Sequence, residues 1–138
     1  MLILDTNVLS ALRRPERSPA VAAWLARQDD TALYLSVVTL GEIERGIVRQ
    51  ESQNPPFARD LRDWLTRTVT LFSDRLLPFG AAEALLWGQL SARLGHAGAD
   101  LLIAATALAH DAAVVTGNTA DFQPTGCRLV DPFAQGAG

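Results

Sequence analysis

Side chains carrying oxygen recur where apolar runs of this sequence stop. Asp5 follows Leu2-Ile3-Leu4 and precedes Thr6-Asn7, and Glu42 stands one short step after Leu33–Val38. Asp100 opens the run Leu101–Ala109, and Asn118 and Asp121 come just past Ala112–Thr116. In a parallel α/β sheet the carboxyl ends of strands and the amino ends of helices converge on one crevice, which is where ligands bind. A carboxylate there conflicts with a phosphate held by the helix terminus alone, because both are negative. A divalent cation removes the conflict. Hard oxygen ligands suit magnesium or manganese, which keep several waters and are commonly shared with substrate phosphate. Carboxylates crowded without a cation repel, so metal occupancy and ionisation are coupled.

Each acid also has a plainer reading. Thr39 and Glu42 fit a capping box, in which the glutamate returns a hydrogen bond to the helix start. Asp100 fits a simple N-cap, and Asp121 fits a turn. Asp5 is the hardest to explain this way, since a carboxylate directly behind an apolar strand is costly to bury unless paired.

The elements that must position these groups follow from hydrophobic spacing. Leu2–Leu4 predicts a short buried strand, and Val8–Arg14 a helix stopped by Pro15. Ser18-Pro19 predicts a helix start, with Val21, Trp24 and Leu25 at helical spacing to about Gln28. Leu33–Val38 reads as the second strand and Thr39–Glu42 as the opening of a helix. Gln50–Pro56 reads as a proline-ended loop before a helix from about Phe57 to Thr68. Either Val69–Phe72 or Leu76–Phe79 supplies an edge strand, where proline is tolerated. Ala81–Leu94 predicts a helix closed by Gly95, and Ala99–His110 a helix so apolar that it must lie between layers. Ala112–Thr116 and Cys127–Val130 read as strands, and residues 134–138 as a frayed tail. Strands alternating with helices imply a three-layer α/β/α sandwich, one domain over residues 1–138, around a mainly parallel sheet of four to five strands.

Bulk composition sets bounds. The 138 residues are 49% hydrophobic and 20% charged, which suits a packed fold and excludes a disordered chain. One cysteine, Cys127, excludes an internal disulfide and a cysteine-rich metal site. No stretch approaches the roughly 18 apolar residues of a membrane span, and no secretory signal is visible, so a cytoplasmic location is expected. The net charge of −3 argues at first against nucleic acid, yet all 12 basic residues are arginine, the better fork for phosphate. A bound divalent ion would also reverse the local sign.

Four runs resemble the PIN domain: Leu4–Ser10, Ser36–Glu42, Ala99–Ala107 and Val114–Phe122, in order along nearly the whole chain, with Pro132-Phe133 near the C-terminus. Within it the chain is most similar to the VapC and FitB-like toxins of bacterial toxin–antitoxin pairs. The resemblance implies a magnesium-dependent endoribonuclease, with manganese a possible substitute, usually a homodimer and silenced by a cognate antitoxin that inserts a segment toward the active site. It assigns the three main acids to Asp5, Glu42 and Asp100, the supporting polar pair to Thr6 and Asn7, and the threonine ending the fourth strand to Thr116. The chain departs at the fourth acid. Many members place an aspartate near Asn118, whereas here that site is an amide and Asp121 lies three residues on; an asparagine can ligate through oxygen or hold a water but adds no charge, which weakens the case for a second tightly held ion.

The expected mechanism has Asp5 and Asp100 holding the ion directly or through water while Glu42 orients a bound water for in-line displacement. RNA would reach the crevice through arginines flanking the acids, for which Arg13, Arg14, Arg45 and Arg49 are the candidates. A haloacid-dehalogenase-type phosphatase needs an aspartate where Asn7 stands, and it and a receiver domain need a late lysine that this chain lacks. The alternative of another class is a non-catalytic antitoxin-binding partner in an operator-DNA-binding complex, with Trp24, Trp64 and Trp87 as interface rather than core. His96 and His110 form no catalytic pair.

Overall fold

The computed structural model describes residues 1–135. Five strands form one parallel sheet: β1 (Leu2–Leu4), β2 (Leu33–Ser36), β3 (Leu76–Leu77), β4 (Ala113–Val115) and β5 (Arg128–Val130), in spatial order β3-β2-β1-β4-β5. The helices are α1 (Thr6–Arg13), α2 (Pro19–Ala26), α3 (Val37–Gln53), α4 (Pro55–Leu71), α5 (Ala81–Leu94), α6 (Ala99–Ala109), α7 (Thr119–Phe122) and α8 (Pro132–Gln135).

Side chains alternate across the central strands, as period-two geometry requires. Leu4, Leu35 and Val115 enter one buried cluster with Val8, Leu9, Val21, Trp24, Ile43 and Ile47 from α1–α3. Ile3, Val114 and Leu77 enter a second with Leu90, Ile103, Ala104, Ala107 and Phe122 from α5–α7. The sheet is therefore covered on both faces, and α6 is buried along most of its length because it lies between the sheet and α5. Trp24 is buried, and Trp64 and Trp87 are half-buried against the two clusters, so packing is the tryptophans' role.

Strand order reverses at β1, with β2 and β3 on one side and β4 and β5 on the other. Such a switch point leaves a crevice at the carboxyl edge. Asp5 ends β1 and Thr116 follows β4, so both stand at its mouth.

Several boundaries differ from expectation. Val37 and Val38 begin α3 instead of extending β2, because the Ser36 hydroxyl accepts a hydrogen bond from Val38 N (3.1 Å) and caps the helix there. The loop expected over Gln50–Pro56 shrinks to Asn54, whose side chain accepts from Phe57 N (3.2 Å). Pro55 and Pro56 then occupy first-turn positions, where a missing N–H costs nothing. Val69–Leu71 stays helical, so Leu76–Leu77 is the edge strand. Gly95 closes α5 as expected, in the left-handed region at φ 77°. Of the tail expected to fray, Ala134 and Gln135 end α8, and residues 136–138 lie outside the described residues.

Candidate active site

Asp5 leaves β1 in extended conformation and caps α1, its Oδ1 accepting from Thr6 N at 2.8 Å. Its Oδ2 accepts from the fully buried Thr116 hydroxyl at 2.8 Å, and that hydroxyl accepts in turn from Asn118 N at 3.0 Å. Asp5 N donates to Val115 O across the β1–β4 pair. The carboxylate is thus tied to the start of α1 and to the residue that follows β4, which gives a residue only 6% exposed the hydrogen-bond partners that burial demands.

Glu42 is the sixth residue of α3, so the capping-box reading is overturned: the helix starts at Val37 under Ser36, and the Thr39 hydroxyl is buried without a hydrogen-bond partner. Released from the helix terminus, Glu42 faces the crevice and accepts from Thr6 Oγ1 at 3.2 Å. Asp100 is not the N-cap of α6 either. Gly98 holds that position, and Asp100 sits in the first turn with its carboxylate in the same crevice.

The crevice encloses about 380 Å³ and is lined by Asp5, Thr6, Asn7, Ser10, Glu42, Asp100 and Asn118. Burial raises the pKa of Glu42 above the ordinary carboxylate value, and the charges of Asp5 and Asp100 raise it further, against the Thr6 hydrogen bond and the charge of Arg45. Burial likewise raises Asp100, followed by the charges of Asp5 and Asp121, with His96 acting weakly the other way. Negative charge is therefore in excess. Among the described residues, no three acid, histidine or cysteine side chains are gathered as a ready-made metal cage. A cation that keeps several waters fits such an open ring of oxygens better than one that sheds them.

Thr116 packs behind Asp5, and Gly117 follows with no room for a β-carbon, which would come within 2.9 Å of the Phe133 ring and 3.8 Å of Asn7 Nδ2. This constellation, acids just after β1, in the second turn of α3 and in the first turn of α6 with a threonine following β4, falls where a family profile for the PIN domain spans residues 2–124. The chain belongs to the PIN-domain family. This PIN domain is 32% identical over 140 residues to VapC ribonuclease Y4jK of Sinorhizobium fredii, covering 96% of this chain and 98% of that protein. It is 33% identical over 139 residues to toxin FitB of Neisseria gonorrhoeae, covering 96% and 99%. Among solved structures, FitAcB from Neisseria gonorrhoeae superposes with a TM-score of 0.84 at 32% identity, covering 96% of this chain and 99% of that one. FitAB bound to an IR36 DNA fragment superposes with 0.83 at 31% identity, covering 96% of each.

Of the groups expected to act together, the PIN domain brings Asp5, Thr6, Asn7, Glu42, Asp100 and Asn118 to one cavity, with Thr116 behind them. Asp121 is exposed on α7 and reaches Asp100 only through its charge, so the amide Asn118 occupies the place at the cavity wall. Arg13 and Arg14 gather at the end of α1, whereas Arg45 and Arg49 lie exposed along α3. Sequence reasoning missed Ser10 and Arg17. Ser10 lies one turn after Thr6 and donates to its carbonyl at 3.0 Å, so the i,i+4 spacing was the available signal. His110 lies 3.3 Å from buried Glu83, outside the cavity lining, and His96 is an exposed neighbour of Asp100.

Proposed function

We propose that this PIN domain is a divalent-metal-dependent endoribonuclease, the toxin of a toxin–antitoxin pair, working as one domain in the cytoplasm. The observation that carries the reading is the ring of Asp5, Glu42 and Asp100 around one cavity, with two of the three carboxyls raised by burial and by neighbouring charge. Such a donor set fits magnesium, with manganese a substitute. Asp5 and Asp100 would hold the ion directly or through water, with Asn118 adding a neutral oxygen. When bound, the ion supplies an acidified water and a sink for charge developing on the phosphate.

The remaining work belongs to the chain. Thr116 and Thr6 N fix both oxygens of Asp5, so that ligand cannot swing away. Glu42, held by Thr6 Oγ1, orients a water toward the phosphodiester. Asn7 and Ser10 line the approach of the strand. The named ribonuclease and toxin relatives, similar over nearly the full chain, support RNA as the substrate class. The FitAcB and DNA-bound FitAB neighbours support an antitoxin partner through which operator DNA is contacted. Among the described residues no helix is long and apolar enough to cross a membrane, in keeping with the proposed location.

The test is cleavage of single-stranded RNA with and without magnesium by the parent, Asp5→Asn and Asp100→Asn, with sedimentation to read the proposed homodimer. Each substitution is expected to lower the metal-dependent rate by about a hundredfold or more. Unchanged rates in both would eliminate the reading. Binding to an antitoxin and operator DNA without any nuclease activity would establish the non-catalytic alternative instead.

A further inference from the structure

Beside the acid cavity lies a second concavity of about 140 Å³, lined by Asn7, Ser10, Arg13, Arg14, Arg17 and Ser18. Asn7 and Ser10 belong to both, so the two spaces share a wall. Three guanidinium groups surround the second space with little to neutralise them. Arg14 meets exposed Glu16 at 3.8 Å, Arg13 lies over the Phe57 ring at 5.5 Å, and Arg17 has no ion pair among the described residues. Burial and the charges of Arg14 and Arg17 lower the pKa of Arg13, outweighing the opposing charges of Glu16 and Asp60. An arginine stays ionised under such pressure, so the pocket keeps its charge at any physiological pH.

On another side of Asn7 stands Phe133. The Cδ2–Cε2 edge of its ring lies so close to Gly117 that a β-carbon there would sit 2.9 Å away, yet the residue is 43% exposed. Asp131 Oδ1 fixes the short helix that carries it, accepting from Phe133 N at 2.9 Å. An exposed aromatic beside Gly117 and Asn7, the latter a residue of the cavity wall, is a stacking surface of the kind every base can use.

We propose that Asn7 is the centre of a single-strand track, in which Arg13, Arg14 and Arg17 grip a backbone phosphate a few nucleotides from the one at the acids while Phe133 stacks a base. The inference rests on the ribonuclease reading above and adds to it which face of the cleft the strand follows. The length of α1 sets the scale: eight residues at about 1.5 Å rise separate Asp5 from the arginines by about 12 Å. That is roughly three to four nucleotides at the stacked rise of about 3.4 Å. A phosphate chain answers both features, a fork for each phosphate and a π-face for each base, whereas an acidic peptide answers only the arginines.

The experiment uses the full chain carrying Asp100→Asn, without metal, and reads the anisotropy of a short fluorescein-labelled oligouridylate against salt. An abasic ribose-phosphate chain of the same length is the control. Arg14→Ala with Arg17→Ala is expected to weaken both chains and to flatten the dependence of log K on log salt by about 0.7 for each phosphate no longer neutralised. Phe133→Ala is expected to weaken the oligouridylate by about fivefold to a hundredfold and leave the abasic chain unchanged. Gly117→Ala, which displaces the ring without removing it, is expected to follow Phe133→Ala in direction. With Asp100 restored and magnesium present, the same substitutions raise KM more than they lower kcat, and unchanged urea midpoints show that the fold survives.

The inference is overturned if these variants bind both chains and cleave with the parent's constants while the parent cleaves normally. It is overturned too if the arginine variant leaves RNA alone and weakens only an aspartate-rich peptide, which would assign the pocket to a protein partner. A parent that cleaves nothing with magnesium defeats the ribonuclease reading separately, and the anisotropy then still decides whether a strand follows this track.

Discussion

Replacing Thr116 with valine tests the idea that a strand-to-strand hydrogen bond holds Asp5 in place. The hydroxyl is fully buried and donates at 2.8 Å to a carboxylate oxygen that is itself nearly buried. A hydrogen bond to a charged group contributes about 1.5–3 kcal/mol net, and an unpaired buried oxygen retains its desolvation cost. Asn118 N loses its acceptor as well, but Asn118 is exposed and water can replace it. The new methyl returns about 0.8 kcal/mol of burial. The expected balance is a loss of about 1–2 kcal/mol, lowering a urea midpoint by about 0.5–1 M with the slope unchanged. The assay is urea unfolding in EDTA, followed by tryptophan fluorescence, on the parent, Thr116→Val, Asp5→Asn and the double variant. Because the bond is charge-assisted, Thr116→Val should cost less once Asp5 is neutral, giving a coupling of about 1 kcal/mol. A loss under about 0.5 kcal/mol, or the same loss in the Asp5→Asn background, would refute the reasoning.

The raised pKa values of Glu42 and Asp100 mean that the metal-free fold favours their protonated forms. The stability they contribute is present in full below the ordinary carboxylate value and is lost as pH rises through the folded value. Asp100→Asn in EDTA should therefore melt higher than the parent at pH 7, with the gap closing as pH falls toward about 4, and millimolar magnesium should raise Tm in the parent but not in Asp5→Asn with Asp100→Asn. Glu83 behaves in the opposite sense: backbone N–H donors, including Gly80 N at 3.2 Å, and then His110 hold its pKa down. Its contribution is present above the ordinary value and lost as pH falls through the folded one, so Glu83→Gln should melt below the parent at pH 7 and approach it in acid, as read by thermal melts. Phe122 is wholly buried between α6 and the sheet, and Phe122→Ala should cost about 3–5 kcal/mol in a urea titration, a large part of the stability of a domain this size.

Much of the candidate site was legible because it is built from local grammar. An apolar strand that ends in an acid, as at Asp5, and a helix opened by one, as at Asp100, can be read from adjacent residues. The boundary at Ser36 could not, since Val37 and Val38 favour strand by branching and become helical only because a single hydroxyl caps Val38 N. That shift mattered for function: it turned Glu42 from a residue of the helix start into one facing the crevice. Pro55 and Pro56 misled for a related reason, as proline ends a helix it follows but suits the first turn of the one it begins. The role of Ser10 and the grouping of Arg17 with Arg13 and Arg14 needed the helix end and the 3₁₀ turn at Pro15–Arg17 to be placed in space.

The sequence by itself determined the elements and their two-sided covering: the period of its apolar residues, the punctuation at Pro15, Pro19 and Gly95, and an α6 too apolar to face water. Only the tertiary structure decided which oxygens meet. Strand order β3-β2-β1-β4-β5 sets β1 against β4 across 111 positions of chain between Asp5 and Thr116, and it carries Asn118 rather than Asp121 to the cavity wall. The physical reason is range: periodicity and capping act over a few residues, whereas the crevice exists only once distant strands have paired and the sheet reverses its order.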